Sequence, residues 1–276
     1  MEGLTYLKSI LLAILQGLTE FLPVSSSGHI MLLSEIFGIE MEQGVLGAFT
    51  VMLHLGTLLA VCIFYIKRIF KMLAHPVKGE IKWLIVATLP TVIFTLALKW
   101  LGWDDLLEAC KRTLLPYGFL FTALILLLAD GISSSRRAAR TDHKDVGFKD
   151  ALCMGLMQCV GTFTGVSRSG STITGGVASG LKRRSAVDFS FMMSIPAILG
   201  GALLEGMDIY RSGELAQAFE GSAPMILAGI AAAFVAGIAA IKLMLLVIKK
   251  SGFKWFSLYL GLLGLLVIAN DVFGIW

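Results

Sequence analysis

The sequence predicts an all-α membrane protein: six transmembrane helices plus two re-entrant helix-loop-helix hairpins, arranged as an inverted-topology repeat. Three observations predict it. Only 15% of the 276 residues are charged and 57% are hydrophobic, with a mean hydropathy of +0.83. A soluble domain carries about 25% charged residues, so lipid must cover much of this surface. Six apolar stretches are long enough to cross a hydrocarbon core, and two further apolar segments are interrupted by polar, Ser/Gly-rich middles.

The six spans are approximately 48–66, 83–101, 114–130, 187–206, 222–246 and 255–273, each close to the roughly 20 helical residues a bilayer requires. Pro90 and Pro196 fall inside two of them, where membrane bundles tolerate kinks. Charge assigns the sides. Loop 67–82 holds Lys67, Arg68, Lys71, Lys78 and Lys82; loop 131–149 holds Arg136, Arg137, Arg140, Lys144 and Lys149. Lys182, Arg183 and Arg184 form a third cluster, and Lys249, Lys250 and Lys254 a fourth. These regions contain 16 of the 23 basic residues and are expected to face the cytoplasm. The intervening loops are acidic, with Glu35, Glu40 and Glu42, then Asp104, Asp105 and Glu108, then Asp208, Glu214 and Glu220. The net charge of +4 therefore reports membrane orientation and not nucleic-acid binding.

This alternation closes only if the segments 7–36 and 150–181 do not cross. Their apolar first legs, of about 14 residues, reach roughly 21 Å, short of a core of about 30 Å. Irregular polar backbone at membrane depth is tolerated only inside protein or along a cavity. Both are expected to re-enter, the first from the periplasm and the second from the cytoplasm. Cys62, Cys110, Cys153 and Cys159 lack metal or redox spacing and are expected to be packing residues. Lys8 precedes an apolar run, but no small-residue cleavage site follows, so no signal peptide is expected.

The hairpins carry an internal repeat. Shifted by 142 residues, Ile14–His29 lies over Leu156–Ser171 with six identities in sixteen positions, where chance gives about one. The shared residues are Gln16/Gln158, Phe21/Phe163, Val24/Val166, Ser25/Ser167, Ser27/Ser169 and Gly28/Gly170. The chain is expected to be one integral membrane domain, 1–276. Its halves, approximately 1–130 and 150–276, are joined by the basic cytoplasmic loop 131–149. Halves of opposite orientation place a site where the hairpin tips meet, near the midplane.

The tips hold the chemistry. Gln16 and Glu20 lie four apart on one helix face, Pro23 ends the first leg, and Ser25, Ser26, Ser27 and Gly28 open the next helix. Helix N-termini bind anions through free N–H groups and the dipole. His29, one turn on, is a side-chain type that can act as acid or base near neutral pH. The second tip, Gly165–Thr172, adds Arg168, whose fork matches phosphate oxygens, beside Ser167, Ser169, Gly170 and Thr172. Taken singly, Glu20 could pack helices, the serines could bridge them, and His29 could be structural. The combination on paired hairpins favours a site, because ionisable groups in membrane segments are costly. His54, mid-span, is expected to make an interhelical hydrogen bond and not to act in catalysis. Thr50 and Thr57 are expected to pack, and Glu205 and Asp208 to lie at the interface.

Gln16–His29 resembles the (E/Q)GLTEFLPVSSxGH signature of the bacterial undecaprenyl-diphosphatase, or bacitracin-resistance, family. Gly165–Thr172 resembles that family's PGxSRSGxT stretch. The resemblance extends over nearly the whole chain in length, span order and motif position. It implies hydrolysis of undecaprenyl diphosphate to undecaprenyl phosphate and inorganic phosphate, recycling the lipid carrier of cell-wall synthesis, with help from Mg²⁺ or Ca²⁺. By the same resemblance Glu20 is the catalytic or metal-binding carboxylate, Ser26 the nucleophile, and His29 its base or proton donor. Arg168, with Ser167, Ser169 and Thr172, holds the diphosphate. Whether Ser26 attacks or His29 activates water stays open. Two positions depart from the pattern. Gln16 replaces a frequent second glutamate, leaving Glu20 the one clear metal carboxylate, and Thr164 replaces a proline. Another lipid-phosphatase family places a histidine five residues beyond its arginine. Here that position is Ile173, which disfavours it.

The partners implied are a polyprenyl diphosphate lipid and membrane lipid, with no nucleic acid and homodimerisation left open. The expected location is the bacterial inner membrane, with the site open to the periplasm. The rival expectation is a transporter or flippase for a polyprenyl phosphate or small anion, which the inverted repeat suits equally well. His29 beside a hydroxyl cluster argues for the enzyme, because an anion carrier needs no acid or base there.

Overall fold

A computed structural model of the chain describes residues 6–39, 43–74, 80–139, 145–212 and 223–275. The described residues form twelve helices. They are α1 (Tyr6–Phe21), α2 (Ser26–Ile36), α3 (Gln43–Phe64), α4 (Ile66–Ala74), α5 (Ile81–Trp100) and α6 (Trp103–Ala109). Then come α7 (Lys111–Ala139), α8 (Phe148–Val160), α9 (Arg168–Ser179), α10 (Arg183–Ser212), α11 (Ala223–Lys250) and α12 (Lys254–Phe273). Six of them, α3, α5, α7, α10, α11 and α12, are long and apolar enough to cross a membrane. They coincide with the six expected spans. Pro90 and Pro196 sit within α5 and α10 without ending either helix. Lys78, Arg140, Lys144, Glu40, Glu42, Glu214 and Glu220 of the charge pattern lie outside the described residues. The short helices α4 and α6 occupy stretches that the sequence reading treats as loops.

The expected hairpin segments fold as two pairs of short helices, α1–α2 and α8–α9, with each pair packed leg against leg. At roughly 1.5 Å per residue, even the 16-residue α1 reaches only about 24 Å, less than a hydrocarbon core. Partners are exchanged between the halves: α1 packs on α11, α8 packs on α5, α3 meets α10, and α7 meets α12. Glycine permits two close crossings of the helix pairs. A Cβ on Gly17 would collide with the Ala233 carbonyl of α11, and one on Gly155 with the Ala87 carbonyl of α5. The main core lies beneath the tips, where Phe21 of α1 meets Phe191 of α10 edge-on at 5.5 Å. Leu89, Ile93, Leu124, Leu128, Leu262 and Leu265 point outward, as a lipid-facing surface requires.

The helix ends are tied by polar contacts. Arg112 at the start of α7 bonds both Glu35 of α2 and Asp271 of α12. Asp130 of α7 pairs with Arg183 at 2.7 Å and accepts the Phe253 and Lys254 N–H groups that open α12. Tyr65, between α3 and α4, donates to Asp188 at 2.6 Å. Burial first, then that carboxylate, raises its hydroxyl pKa well above the ordinary tyrosine range. Asp208, expected at an interface, makes an exposed pair with Lys99 at 2.7 Å, and Glu205 is exposed too. All four cysteines are free and half-buried, consistent with packing.

Candidate active site

The two polar turns meet at one small cleft. It is lined by Thr19, Glu20 and Ser25–Ser27 from the first helix pair and by Gly161 and Val166–Ser169 from the second. The repeated serines do the same local work in both turns. Ser25 caps α2 by accepting the Gly28 N–H at 3.4 Å, and Ser167 caps α9 by accepting the Gly170 N–H at 3.1 Å. Both short helices therefore begin at the cleft and direct their positive ends towards it. Gly165 supplies the positive φ of 79° that the second turn needs, where its backbone rests against the Leu115 carbonyl. Thr122 of α7 steadies that turn by accepting the Ser167 N–H at 3.0 Å.

Glu20 is the hub. Its Oε1 accepts from Arg168 Nη2 at 2.5 Å, so the ion pair joins one hairpin to the other. Its Oε2 accepts from Ser26 Oγ at 2.7 Å and from Gln16 Nε2 at 3.0 Å. Glu20 is buried, and a buried carboxylate needs this many partners. Ser169 Oγ adds a second link between the turns by donating to the Leu22 carbonyl at 3.0 Å.

Of the residues expected at the site, Glu20, Ser25, Ser26, Ser27, Ser167, Arg168 and Ser169 line the cleft together. Others do not. Gln16 is fully buried behind Glu20. The Gly28 and Gly170 N–H groups are taken by the serine caps, so these two amides are not free for a ligand. Thr172 lies one turn inward, facing α10, and shares a hydrogen bond with Ser190 at 2.7 Å. His29, too, is not among the residues that line the cleft. Its ring turns back from the cleft and is wedged edge-on to Phe119 and stacked on Tyr259. Nδ1 meets the Ser25 carbonyl at 2.8 Å and Nε2 meets the Tyr259 hydroxyl at 2.7 Å, so neither nitrogen faces Ser26.

His54 does not make the interhelical hydrogen bond expected of it: across helices its Nε2 only approaches Glu20 Oε2, at the ion-pair distance of 3.6 Å. Its Nδ1 is 2.9 Å from the Thr50 carbonyl in its own helix. Thr57 packs as expected and donates to the His54 carbonyl. Thr122 and Tyr259 were missed. Each is a lone hydroxyl in an apolar span, and its role depends on a contact distant in sequence, 45 and 230 residues away respectively.

Relatives match nearly the whole of this chain. The family model described as bacitracin resistance protein BacA matches residues 9–266. An undecaprenyl-diphosphatase of Flavobacterium johnsoniae is 36% identical over 268 residues, covering 97% of this chain and 96% of the relative. One from Corynebacterium glutamicum is 36% identical, covering 97% of this chain and 91% of its own length. One from Carboxydothermus hydrogenoformans is 36% identical, covering 97% and 98%. With its six membrane-length helices and its paired polar turns, the chain belongs to the bacitracin resistance protein BacA family of multi-pass membrane proteins.

Proposed function

We propose that this chain hydrolyses undecaprenyl diphosphate to undecaprenyl phosphate and inorganic phosphate at the cleft between the two polar turns. One observation carries the reading: a buried carboxylate, Glu20, holds a hydroxyl on one oxygen and an arginine on the other. Phosphoryl transfer depends mainly on positioning and charge stabilisation, and this constellation offers both.

The Arg168 guanidinium and the N-termini of α2 and α9 take the terminal phosphate. When Arg168 turns to the incoming oxygens, Glu20 loses a counter-ion and is free to accept the Ser26 proton at Oε2. Ser26 Oγ then attacks the terminal phosphorus. The bond from that phosphorus to the bridging oxygen breaks, and undecaprenyl phosphate leaves with the bridging oxygen. Glu20 gives the Ser26 proton to that departing oxygen; in a second step it takes a proton from the water that attacks the phosphoserine and returns it to Ser26 Oγ as the Oγ–phosphorus bond breaks and phosphate leaves. His29 takes no proton in this scheme, because both its nitrogens are engaged elsewhere.

A divalent cation fits the donor set in one mode only. Among the described residues no group of three or more His, Cys, Asp or Glu gathers. Glu20 and the Gln16 Oε1, a buried acceptor without a hydrogen-bond partner, would hold the ion with substrate phosphate oxygens completing the shell. Mg²⁺ is commonly held so, by one carboxylate plus phosphates. Bound there, it would neutralise phosphate charge.

The charge alternation supports an inner-membrane location with the basic loops in the cytoplasm and the cleft open to the periplasm. The same pattern supports two inverted halves and re-entry of both helix pairs. Purified protein in detergent is expected to release phosphate from a polyprenyl diphosphate, and EDTA to suppress the release. No release by the wild type under either condition would sink the proposal.

A further inference from the structure

We infer that Tyr259 is a positioning residue, which acts through His29 to hold the turn that aims Ser26 at Glu20. The inference rests on the phosphatase reading above and assigns a part to a helix outside both hairpins.

Ser25 is the only non-glycine residue with positive φ among the described residues, at φ 70° and ψ 97°. Its repeat mate Ser167 reaches the same capping bond from an ordinary extended backbone, at φ −78° and ψ 118°. Residues in sparsely populated regions persist only when their surroundings over-determine them, and such positions cluster at functional sites. The surroundings here are visible. The Ser25 carbonyl, whose direction follows ψ, faces two donors of His29: the backbone N–H at 3.2 Å and ring Nδ1 at 2.8 Å. Nδ1, facing a carbonyl, donates, and Nε2 shares a 2.7 Å hydrogen bond with the Tyr259 hydroxyl, which can give or take the proton. Tyr259 thus anchors the Nε2 side of the ring and, by stacking at 5.6 Å, holds the ring plane. Phe119 closes the other side.

The order of contacts is then Tyr259, His29, the Ser25 carbonyl, the strained turn and Ser26 Oγ. Loss of the Tyr259 hydroxyl lets the imidazole turn, and the turn it braces relaxes. A displacement of about 1 Å at a reacting group costs up to about a hundredfold in rate. The effect falls on the chemical step and not on binding, because Tyr259 is not among the cleft-lining residues.

The test is a double-mutant cycle on the full chain in detergent, reading phosphate release from a polyprenyl diphosphate. Tyr259→Phe keeps the ring and removes the hydroxyl; His29→Asn keeps a donor near the Nδ1 position and removes Nε2. Tyr259→Phe is expected to lower kcat about tenfold with KM and Tm unchanged. His29→Asn is expected to keep far more activity than His29→Ala, and adding Tyr259→Phe to it is expected to cost nothing further. A wild-type rate in Tyr259→Phe overturns the inference, as do additive losses in the double variant. A rate loss that tracks a fall in Tm also overturns it, in favour of plain packing. Inactive wild type would instead refute the phosphatase reading.

Discussion

The two serine-capped turns descend from one sequence pattern, yet they are built to different standards. The second is relaxed: Ser167 caps α9 from common backbone angles, Gly165 takes the one positive φ, and Thr122 holds the Ser167 N–H. The first places a serine at φ 70° and needs His29 to hold its carbonyl. The position that follows each cap differs as well: Ser26 in one, Arg168 in the other, both reaching Glu20. Repetition kept the caps, and divergence at one register position supplied a hydroxyl on one side and a cation on the other. The strain sits with the hydroxyl, whose direction matters to bond formation. A guanidinium on a long side chain tolerates looser backbone.

The strongest test removes the two divergent groups in turn. Arg168→Ala is expected to cut phosphate release by about 10³-fold, near 4 kcal/mol, the scale for losing one preorganised charge donor. Arg168→Lys is expected to recover little, because an ammonium lacks the planar fork. Ser26→Ala is expected to fall as far, while Ser27→Ala, at its exposed neighbour, stays near wild type. Initial rates at saturating lipid check all four. Equal tolerance of Arg168→Ala and Ser27→Ala would break the assignment of roles.

The next effect separates the turns by stability. Ala at Gly165 meets both a positive φ and the Leu115 carbonyl, so Gly165→Ala is expected to cost about 3 kcal/mol. Thermal unfolding in detergent, followed by near-UV circular dichroism, reads the loss. The first turn predicts the opposite sign. Ser25→Gly gives up a cap bond worth a few tenths of a kcal/mol but releases strain of about 1–3 kcal/mol, so Tm is expected to rise. Its activity is expected to fall about tenfold, because a glycine turn no longer aims Ser26. Ser167→Gly, with no strain to release, is expected to lose a little of both. If Ser25→Gly and Ser167→Gly shift Tm alike, the contrast between the turns fails.

Much of this was legible in the sequence. Six spans follow from hydropathy, and the two interrupted segments from their length and their serines. Glu20 and Arg168 stand out because charges in apolar segments demand a reason. Local pattern failed wherever a side chain could choose between neighbours. His29 is three residues from Ser26, and nothing in that spacing reveals that its ring folds back onto the residue four before it. His54, set among Met52, Leu53 and Leu55, was expected to bond a neighbouring helix, but nothing local names Glu20, 34 positions away on α1, as the group it approaches. Tyr259 and Thr122 are single hydroxyls in apolar helices, indistinguishable by composition from hydroxyls that merely pack. The helices α4 and α6 were missed because each lies in a charged stretch, Lys67, Arg68 and Lys71 in one and Asp104, Asp105 and Glu108 in the other, that reads as a loop between spans.

The smallest expected effect lies where the turns touch. Ser169 and Ser27 occupy equivalent repeat positions, and only Ser169 donates across to the other turn, at the Leu22 carbonyl. Ser169 also shares a hydrogen bond with Ser167 at 3.1 Å. A buried hydroxyl bond contributes about 1 kcal/mol, so Ser169→Ala is expected to lower stability by that amount and the rate about threefold. Ser27→Ala, exposed at the cleft, is expected to stay within about 0.5 kcal/mol of wild type in stability. A chemical-denaturation series on both variants, run beside the rate assay, would show whether the turns are held together by Ser169. If the two alanine variants are equally stable, the Glu20–Arg168 ion pair alone joins the hairpins.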